Sequence, residues 1–364
     1  MSRTTDRRGG RDGSPRVVVV DDSPFMRGLI GDLLSDAGVA VVGEAGDGEE
    51  ALSVVAETRP DVVTMDVEMP GMGGLEAVER LMEETPTPVL MLSAHTDEGA
   101  EVTFEALDRG AVDFFSKPGG EVSTGVSRES ERLVEAVRSV ADADLDAATR
   151  ERDDPSSAAS RSPDAGSEAD AADVDEPLTV VIAASTGGPN AVERVLSALP
   201  MADCRVVIVQ HMPEAFTSRF ADRLDAASAY DVREASDGAR IGAGEAIVAR
   251  GGSHTLIDSY RSGRLRVKLD EDDDTHTVTP AADVTMRSAA EVIDDPLVGV
   301  VLTGMGSDAA EGIRAMADAG ARTLAQSEDT CVIYGMPKRA VETGGVDAVY
   351  DLDDVAGAIV GGEA

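Results

Sequence analysis

The sequence predicts an α/β protein made of two doubly wound parallel-sheet domains joined by a flexible acidic linker, and three observations carry that expectation. Short unbroken apolar runs such as Val17–Val20 and Leu178–Ala184 read as strands buried on both faces, as in parallel sheets. Such runs alternate with stretches of helical periodicity, the pattern of successive βα units. Residues 142–176 break the alternation: 12 acids against 3 arginines, with almost no large apolar side chain, cannot form a core. The chain therefore divides into a polar leader (1–15), a first domain (16–141), the linker (142–176) and a second domain (177–364).

In the first domain the opening valines end at Asp21-Asp22. Ser23-Pro24 then supplies an N-cap followed by proline in the first turn. Met26, Leu29, Ile30, Leu33, Leu34 and Ala37 mark one helix face, closed by Gly38. Further strand patterns occupy 39–45, 61–66, 88–92 and 112–115, with helical patterns at 48–57, 74–83, 98–108 and 128–141. A sheet wound this way brings Asp21, Asp22 and Asp66 to one edge, with Ser93 after the fourth strand and Lys117 after the fifth. Three carboxylates together repel unless a hard divalent cation sits among them, and oxygen ligands favour Mg²⁺. Asp66 can then accept a phosphoryl group covalently, with Ser93 and Lys117 bonding or neutralising its oxygens. The plainer reading, helix caps and an ordinary turn, leaves their joint placement at successive strand ends unexplained.

In the second domain Leu178–Ala184 runs into Ser185, and Gly187-Gly188-Pro189 turns the chain into a helical pattern. A serine at that edge needs a base and a group to orient the base. Of four histidines, His95 belongs to the first domain, His276 sits in a polar acidic stretch, and His254 follows Gly251-Gly252 in a loop. His211 ends the strand pattern Arg205–Gln210 and so emerges at the same edge as Ser185. A third strand pattern, Leu297–Leu302, leads through Thr303-Gly-Met-Gly-Ser to Asp308. Ser185, His211 and Asp308 thus form a triad arrangement. Taken singly, Ser185 could cap its helix, Asp308 could cap another, and His211 could be an ordinary loop residue. A phosphate cradle at the Ser185 turn is weakened by the absence of the P-loop pattern, and the order Ser…His…Asp without a G-x-S-x-G elbow argues against an ordinary α/β-hydrolase.

Charge narrows the partners. With 32 basic and 70 acidic residues the net charge is −38, which repels nucleic acid and anionic membrane. Only Lys117, Lys268 and Lys338 are lysines, a balance suited to concentrated salt and to a halophilic source. Cys204 and Cys331 form no disulfide framework or zinc pattern and read as buried free thiols. No apolar run approaches the length of a membrane span and the leader lacks a signal-peptide core, so a cytoplasmic location is expected. The patch Asp270–Asp274 reads as a solvated hairpin tip; it lacks the glycine and final glutamate of an EF-hand.

Residues 16–141 resemble the receiver domains of two-component response regulators through Val20-Asp-Asp-Ser23, Met65-Asp-Val-Glu-Met-Pro-Gly71, Leu92-Ser93 and Ser116-Lys-Pro118. Residues 178–360 resemble the catalytic domain of chemotaxis protein-glutamate methylesterases through Ala184-Ser-Thr-Gly-Gly188, Gln210-His-Met-Pro213, Leu302-Thr-Gly-Met-Gly306 with Asp308, and Tyr334-Gly-Met-Pro337. The resemblance implies a flavodoxin-like receiver and a Rossmann-like methylesterase domain. It implies that a chemotaxis histidine kinase phosphorylates Asp66. Mg²⁺ would be held directly by Asp22 and Asp66, through water by Asp21, and by the Glu68 carbonyl. Phe114 matches the aromatic switch position of receivers and reads equally well as a core residue. For the second domain it implies Ser185 as nucleophile, His211 as base, Asp308 as orienter and the Met305 N–H as oxyanion donor. The implied reaction hydrolyses glutamate methyl esters on methyl-accepting chemoreceptors, releasing methanol, and extends to deamidation of receptor glutamines, with no cofactor for the esterase step. It further implies that the unphosphorylated receiver covers the active-site edge. Two departures bear on loop shape: Ala309 stands where a glycine is usual, and Ala249-Arg250-Gly251 replaces Ala-Pro-Gly.

Overall fold

The computed structural model describes residues 13–93, 97–117, 126–152, 177–271 and 276–361. His95, most of the leader, the linker beyond 152 and residues 272–275 of the acidic patch lie outside the described residues.

The first unit runs β1 (Arg16–Val20), α1 (Pro24–Asp36), β2 (Ala40–Ala45), α2 (Gly48–Thr58), β3 (Val62–Asp66), α3 (Gly74–Glu84), β4 (Val89–Ser93), α4 (Asp97–Arg109), β5 (Asp113–Ser116) and α5 (Val126–Ala141). Its sheet is parallel throughout, in the order β2-β1-β3-β4-β5. The four valines of β1 are fully buried because helices cover both faces, so the strand needs no alternation of polar and apolar residues. Ser23 caps α1, accepting from the Met26 N–H at 3.4 Å, with Pro24 in the first turn.

A short helix α6 (Leu145–Arg152) occupies the beginning of the stretch expected to be structureless linker. The Asp144 carboxylate caps it, accepting from the N–H groups of Asp146 and Ala147 at 2.9 and 3.1 Å. Ala147 and Ala148 are buried, Ala148 in the core formed by Leu133 and Val137 of α5. Small side chains suffice here because the helix lies against an existing core instead of building its own.

The second unit runs β6 (Leu178–Ala184), α7 (Gly188–Ala198), β7 (Cys204–Gln210), α8 (Glu214–Ala227), β8 (Asp231–Glu234), β9 (Arg240–Ile241), β10 (Glu245–Val248), β11 (His254–Arg261), β12 (Arg264–Asp270), α9 (Ala282–Val292), β13 (Leu297–Val301), α10 (Ala310–Asp318), β14 (Arg322–Gln326), α11 (Met336–Glu342), β15 (Ala348–Tyr350) and α12 (Leu352–Val360). Seven strands form a parallel sheet in the order β15-β14-β13-β6-β7-β10-β8. The chain builds outward from β6 on one side, then returns to build outward through β13 on the other. The crevice at that reversal is where open α/β sheets place ligands.

A small antiparallel sheet, β11-β12-β9, was not anticipated. Its β11–β12 turn is Ser262-Gly263, both at positive φ (49° and 75°), the two-residue geometry that matches strand twist. The expected hairpin tip at Asp270–Asp274 is therefore corrected. Asp270 pairs with His254 at the other end of the hairpin, because the glycine, not the acid run, supplies the required backbone conformation.

The two units meet through aromatic rings. Phe114 of β5 lies 4.6 Å from Phe216 of α8, and Phe104 of α4 stacks on Phe220 at 5.9 Å. Arg223 reaches from α8 across this seam to Asp108 at 2.7 Å and covers the Phe104 ring at 5.6 Å. Asp144 N–H donates to the Val332 carbonyl at 3.0 Å.

Candidate active site and phosphoryl site

Ser185 follows the last residue of β6. Its N–H donates to the Thr303 carbonyl at 3.0 Å, and its carbonyl accepts from Gly188 N–H at 2.7 Å and Gln210 Nε2 at 2.9 Å. The helix behind it begins at Gly187, which has φ 76° and makes no side-chain cap. Ser185 is thus not an N-cap, and its half-buried hydroxyl has no hydrogen-bond partner among the described residues. The turn requires glycine for space as well: a Cβ on Gly188 would lie 2.1 Å from Gln210 Oε1.

His211 emerges from the adjacent strand β7, its N–H bonded to the Ala184 carbonyl at 3.0 Å. Its Nε2 lies 2.7 Å from Asp308 Oδ2. The structure therefore brings His211 and Asp308 into contact, while Ser185 is next to them along the sheet edge without a hydroxyl bond to the ring. Nε2 is committed to the carboxylate, so Nδ1 is the ring nitrogen that Asp308 does not engage.

Asp308 does not cap the helix that follows it; Ala309 occupies the cap of α10 at φ 73°. Its carboxylate instead accepts from the N–H groups of Ala282 and Asp283, at 2.6 and 3.0 Å, at the start of α9. Burial on its own would raise the Asp308 carboxyl. The His211 bond and charge, with the two backbone donors, overcome that and bring it down to about 2. Asp308 is thus an anion at neutral pH, hydrogen-bonded to the His211 ring. His254, the weaker base candidate, is buried, and its Nδ1 accepts the Ala281 N–H at 3.0 Å. It anchors the residue preceding the two N–H groups that hold Asp308.

Met305 lies in the loop after β13, and its N–H has no hydrogen-bond partner among the described residues. Residues to which the sequence assigned no role shape this loop. Thr303 N–H donates to Gln326 Oε1 at 2.8 Å, and Thr303 Oγ1 donates to the Thr186 carbonyl at 3.0 Å. Buried Gln210 and Gln326 could have been singled out as amides ending apolar strands, positions where a polar side chain needs a partner. In the other departing loop, Arg250 pairs with Glu214 through Nε at 3.1 Å. Gly251 packs against the same residue, where a Cβ would lie 2.4 Å from Glu214 N.

At the edge of the first sheet, Asp21, Asp22 and Asp66 present carboxylate oxygens within 4.8 Å of one another. Lys117 Nζ bridges Asp21 Oδ2 at 2.8 Å and Asp66 Oδ2 at 2.7 Å. The Glu68 N–H approaches Asp66 Oδ1 at 3.4 Å, and the Lys117 N–H donates to the Ser93 carbonyl at 2.8 Å. Burial pushes the Asp66 carboxyl above the usual carboxylate range against the pull of Lys117, and Asp21 adds to the push. Burial works against the Lys117 ammonium too, but its two carboxylates raise it above the usual lysine range. This all-oxygen, acid-rich donor set fits a hard divalent cation.

Asp113, at the start of β5, lies near Thr186, the neighbour of Ser185. Burial raises the Asp113 carboxyl to about 6, offset in part by the Phe114 N–H and Thr186.

Residues 180–359 match the family model described as CheB methylesterase, and residues 17–123 match the response regulator receiver domain. A relative from Haloarcula marismortui is 57% identical over 358 residues, covering 95% of this chain and 96% of its own. Another from Geobacillus kaustophilus is 41% identical over 348 residues, covering 95% and 97%. Both are named protein-glutamate methylesterase/protein-glutamine glutaminase. Among solved structures, the CheB methylesterase catalytic domain of Thermotoga maritima is 36% identical, covering 50% of this chain and 96% of that one, with TM-score 0.48. The response regulator domain of Thermotoga maritima CheB is 45% identical, covering 36% and 98%, with TM-score 0.33. No helix among the described residues is long and apolar enough to cross a membrane.

Proposed function

The chain belongs to the family of protein-glutamate methylesterases/protein-glutamine glutaminases that carry a receiver domain, and from that premise we propose that it removes methyl groups from glutamate esters of chemoreceptors when its receiver is phosphorylated. The observation that carries the catalytic reading is the His211–Asp308 pair at 2.7 Å beside Ser185 on the neighbouring strand end.

In this reading Ser185 Oγ attacks the ester carbonyl as His211 Nδ1 takes its proton, and the Met305 N–H faces the developing oxyanion. Asp308 stabilises the imidazolium. The ring then returns the proton to the departing methoxide, giving methanol and a glutamyl ester on Ser185. Water, deprotonated by the same nitrogen, cleaves that ester to glutamate and restores the serine. A glutamine substrate would follow the same course with ammonia as leaving group.

The receiver reading assigns Asp66 as the phosphoryl acceptor from a chemotaxis histidine kinase, with Ser93 and Lys117 on the phosphoryl oxygens. Asp21, Asp22, Asp66 and the Glu68 carbonyl would hold Mg²⁺, which when bound supplies charge neutralisation for phosphoryl transfer. The functional division is 16–141 for the receiver and 177–364 for the hydrolase, with 142–176 between them. Control by covering is supported by the aromatic seam and by the Asp113–Thr186 contact one residue from Ser185.

The deciding experiment incubates the full-length protein with methylated receptor, with and without a phosphodonor, and measures methanol. Methanol that depends on Ser185 and rises with the phosphodonor is the expected result; methanol release unaffected by Ser185→Ala would end the hydrolase reading.

A further inference from the structure

Gly306, Ser307, Tyr334, Gly335, Lys338 and Arg339 line a cavity of about 400 Å³ beside the Met305 loop. One wall is continuous with the reaction site. Gly335 and Met336 both donate their N–H to the Gly304 carbonyl, at 3.1 and 2.8 Å. A Cβ on Gly335 would lie 3.1 Å from Met305 Cα, and one on Gly304 would lie 2.7 Å from Ser185 Cβ. Cavity, oxyanion loop and serine are therefore in direct succession, with no layer between them.

The lining runs against the charge of the protein. Two cations and two hydroxyls line the cavity and no carboxylate does, in a chain of net charge −38. Lys338 is exposed and has no ion-pair or hydrogen-bond partner among the described residues, although acids outnumber bases more than two to one. Among the described residues the Arg339 guanidinium pairs with Glu342 alone, an exposed pair at 2.7 Å that water screens. Burial first, then nearby acidic groups, raise the Tyr334 hydroxyl above the usual tyrosine range, so it stays a donor at neutral pH.

Resting on the methylesterase reading, we propose that this cavity binds a free carboxylate of the substrate polypeptide close to the ester, so that the enzyme selects methyl esters set among ionised glutamates. Each hydrolysis converts a neutral ester into a carboxylate. A substrate with several such positions therefore becomes a better ligand as it is processed, and later esters are cleaved more readily than the first.

The test uses two peptides, each with one glutamate γ-methyl ester, flanked by glutamates in one and by glutamines in the other. Full-length protein supplied with acetyl phosphate and Mg²⁺ is assayed at the lowest salt that keeps it folded. The KM for the acidic peptide should be about tenfold below that for the neutral one, the size of a charge-assisted contact. Lys338→Gln should bring the two within about twofold, while Lys338→Arg should restore most of the difference. In parallel, a fluorescent peptide with glutamate in place of the ester should bind Lys338→Gln about tenfold more weakly than the unaltered protein. Absence of methanol from both peptides would remove the esterase reading, and the binding measurement would still decide the cavity. Equal binding of the acidic peptide by both proteins, or an equal KM change on both esters, overturns the proposal.

Discussion

The two strand-end sites bury their carboxylates to similar depth and reach opposite electrostatic ends. The Asp66 side chain is 7% exposed and that of Asp308 12%, and burial is the largest influence on each. Asp66 rises because burial outweighs the pull of Lys117, which is shared with Asp21, and Asp21 adds a smaller push. Asp308 falls to about 2 because a ring nitrogen and two backbone donors converge on one carboxylate. Crowded charge suits the cation and phosphoryl group proposed for the first site; saturated charge makes an anion that does not titrate near neutral pH. Neighbours, not depth, separate the two roles.

The largest break in this comparison is expected at the nucleophile. Ser185→Ala should lower methanol release by on the order of 10⁴-fold or more, His211→Ala nearly as much and Asp308→Ala less, with Asp66 phosphorylation intact in all three. Radiolabelled phosphodonor and a methanol assay on the same samples check both halves; parallel loss of phosphorylation would mean that the sites are not separable. Next in size, Asp66→Asn should abolish phosphate incorporation and with it an activation of roughly 5- to 150-fold. Retained incorporation would put the phosphosite elsewhere.

Proton linkage sharpens the contrast. Asp308, with a depressed carboxyl, contributes stability above about pH 4 that is lost as pH falls toward 2, so its charge is constant from mildly acidic to neutral pH. Asp113 behaves in the opposite sense. Its raised carboxyl favours the docked arrangement below the ordinary carboxylate range, and that contribution fades as pH rises through about 6. Resting activity relative to the phosphorylated enzyme should therefore rise severalfold between pH 5 and 7, and Asp113→Asn should flatten this ratio. A ratio with the same pH slope in Asp113→Asn would detach the contact from control. The smallest effect is expected at Ala309, held at φ 73°. Ala309→Gly should relieve about 1 kcal/mol of backbone strain, read as a raised melting temperature with the triad unchanged.

What the sequence made legible was whatever side-chain type and strand period encode together. The valine-rich strands, their order of appearance and the residues at their carboxyl ends, Asp66, Lys117, Ser185, His211 and Asp308, all belong to that class. The supports of those residues do not. Ala282 and Asp283 hold Asp308 through backbone N–H groups, which any residue type would supply. The β9, β11 and β12 strands are short or half-exposed, so their pattern is weak, and the Ser262-Gly263 turn was overshadowed by the acid run after Leu269. Helix α6 was missed because its buried side chains are alanines, whose contact with α5 depends on tertiary proximity.

Strand β5 has a consequence for timing. Asp113 and Phe114 touch the second unit, and Lys117, just past the end of the same strand, grips Asp66. The whole path is about 13 Å of extended chain at roughly 3.3 Å per residue, hydrogen-bonded to β4 along its length. Between Asp113 and Lys117 this path is strand and contains no helix. A signal carried along it would last as long as the acyl phosphate proposed at Asp66.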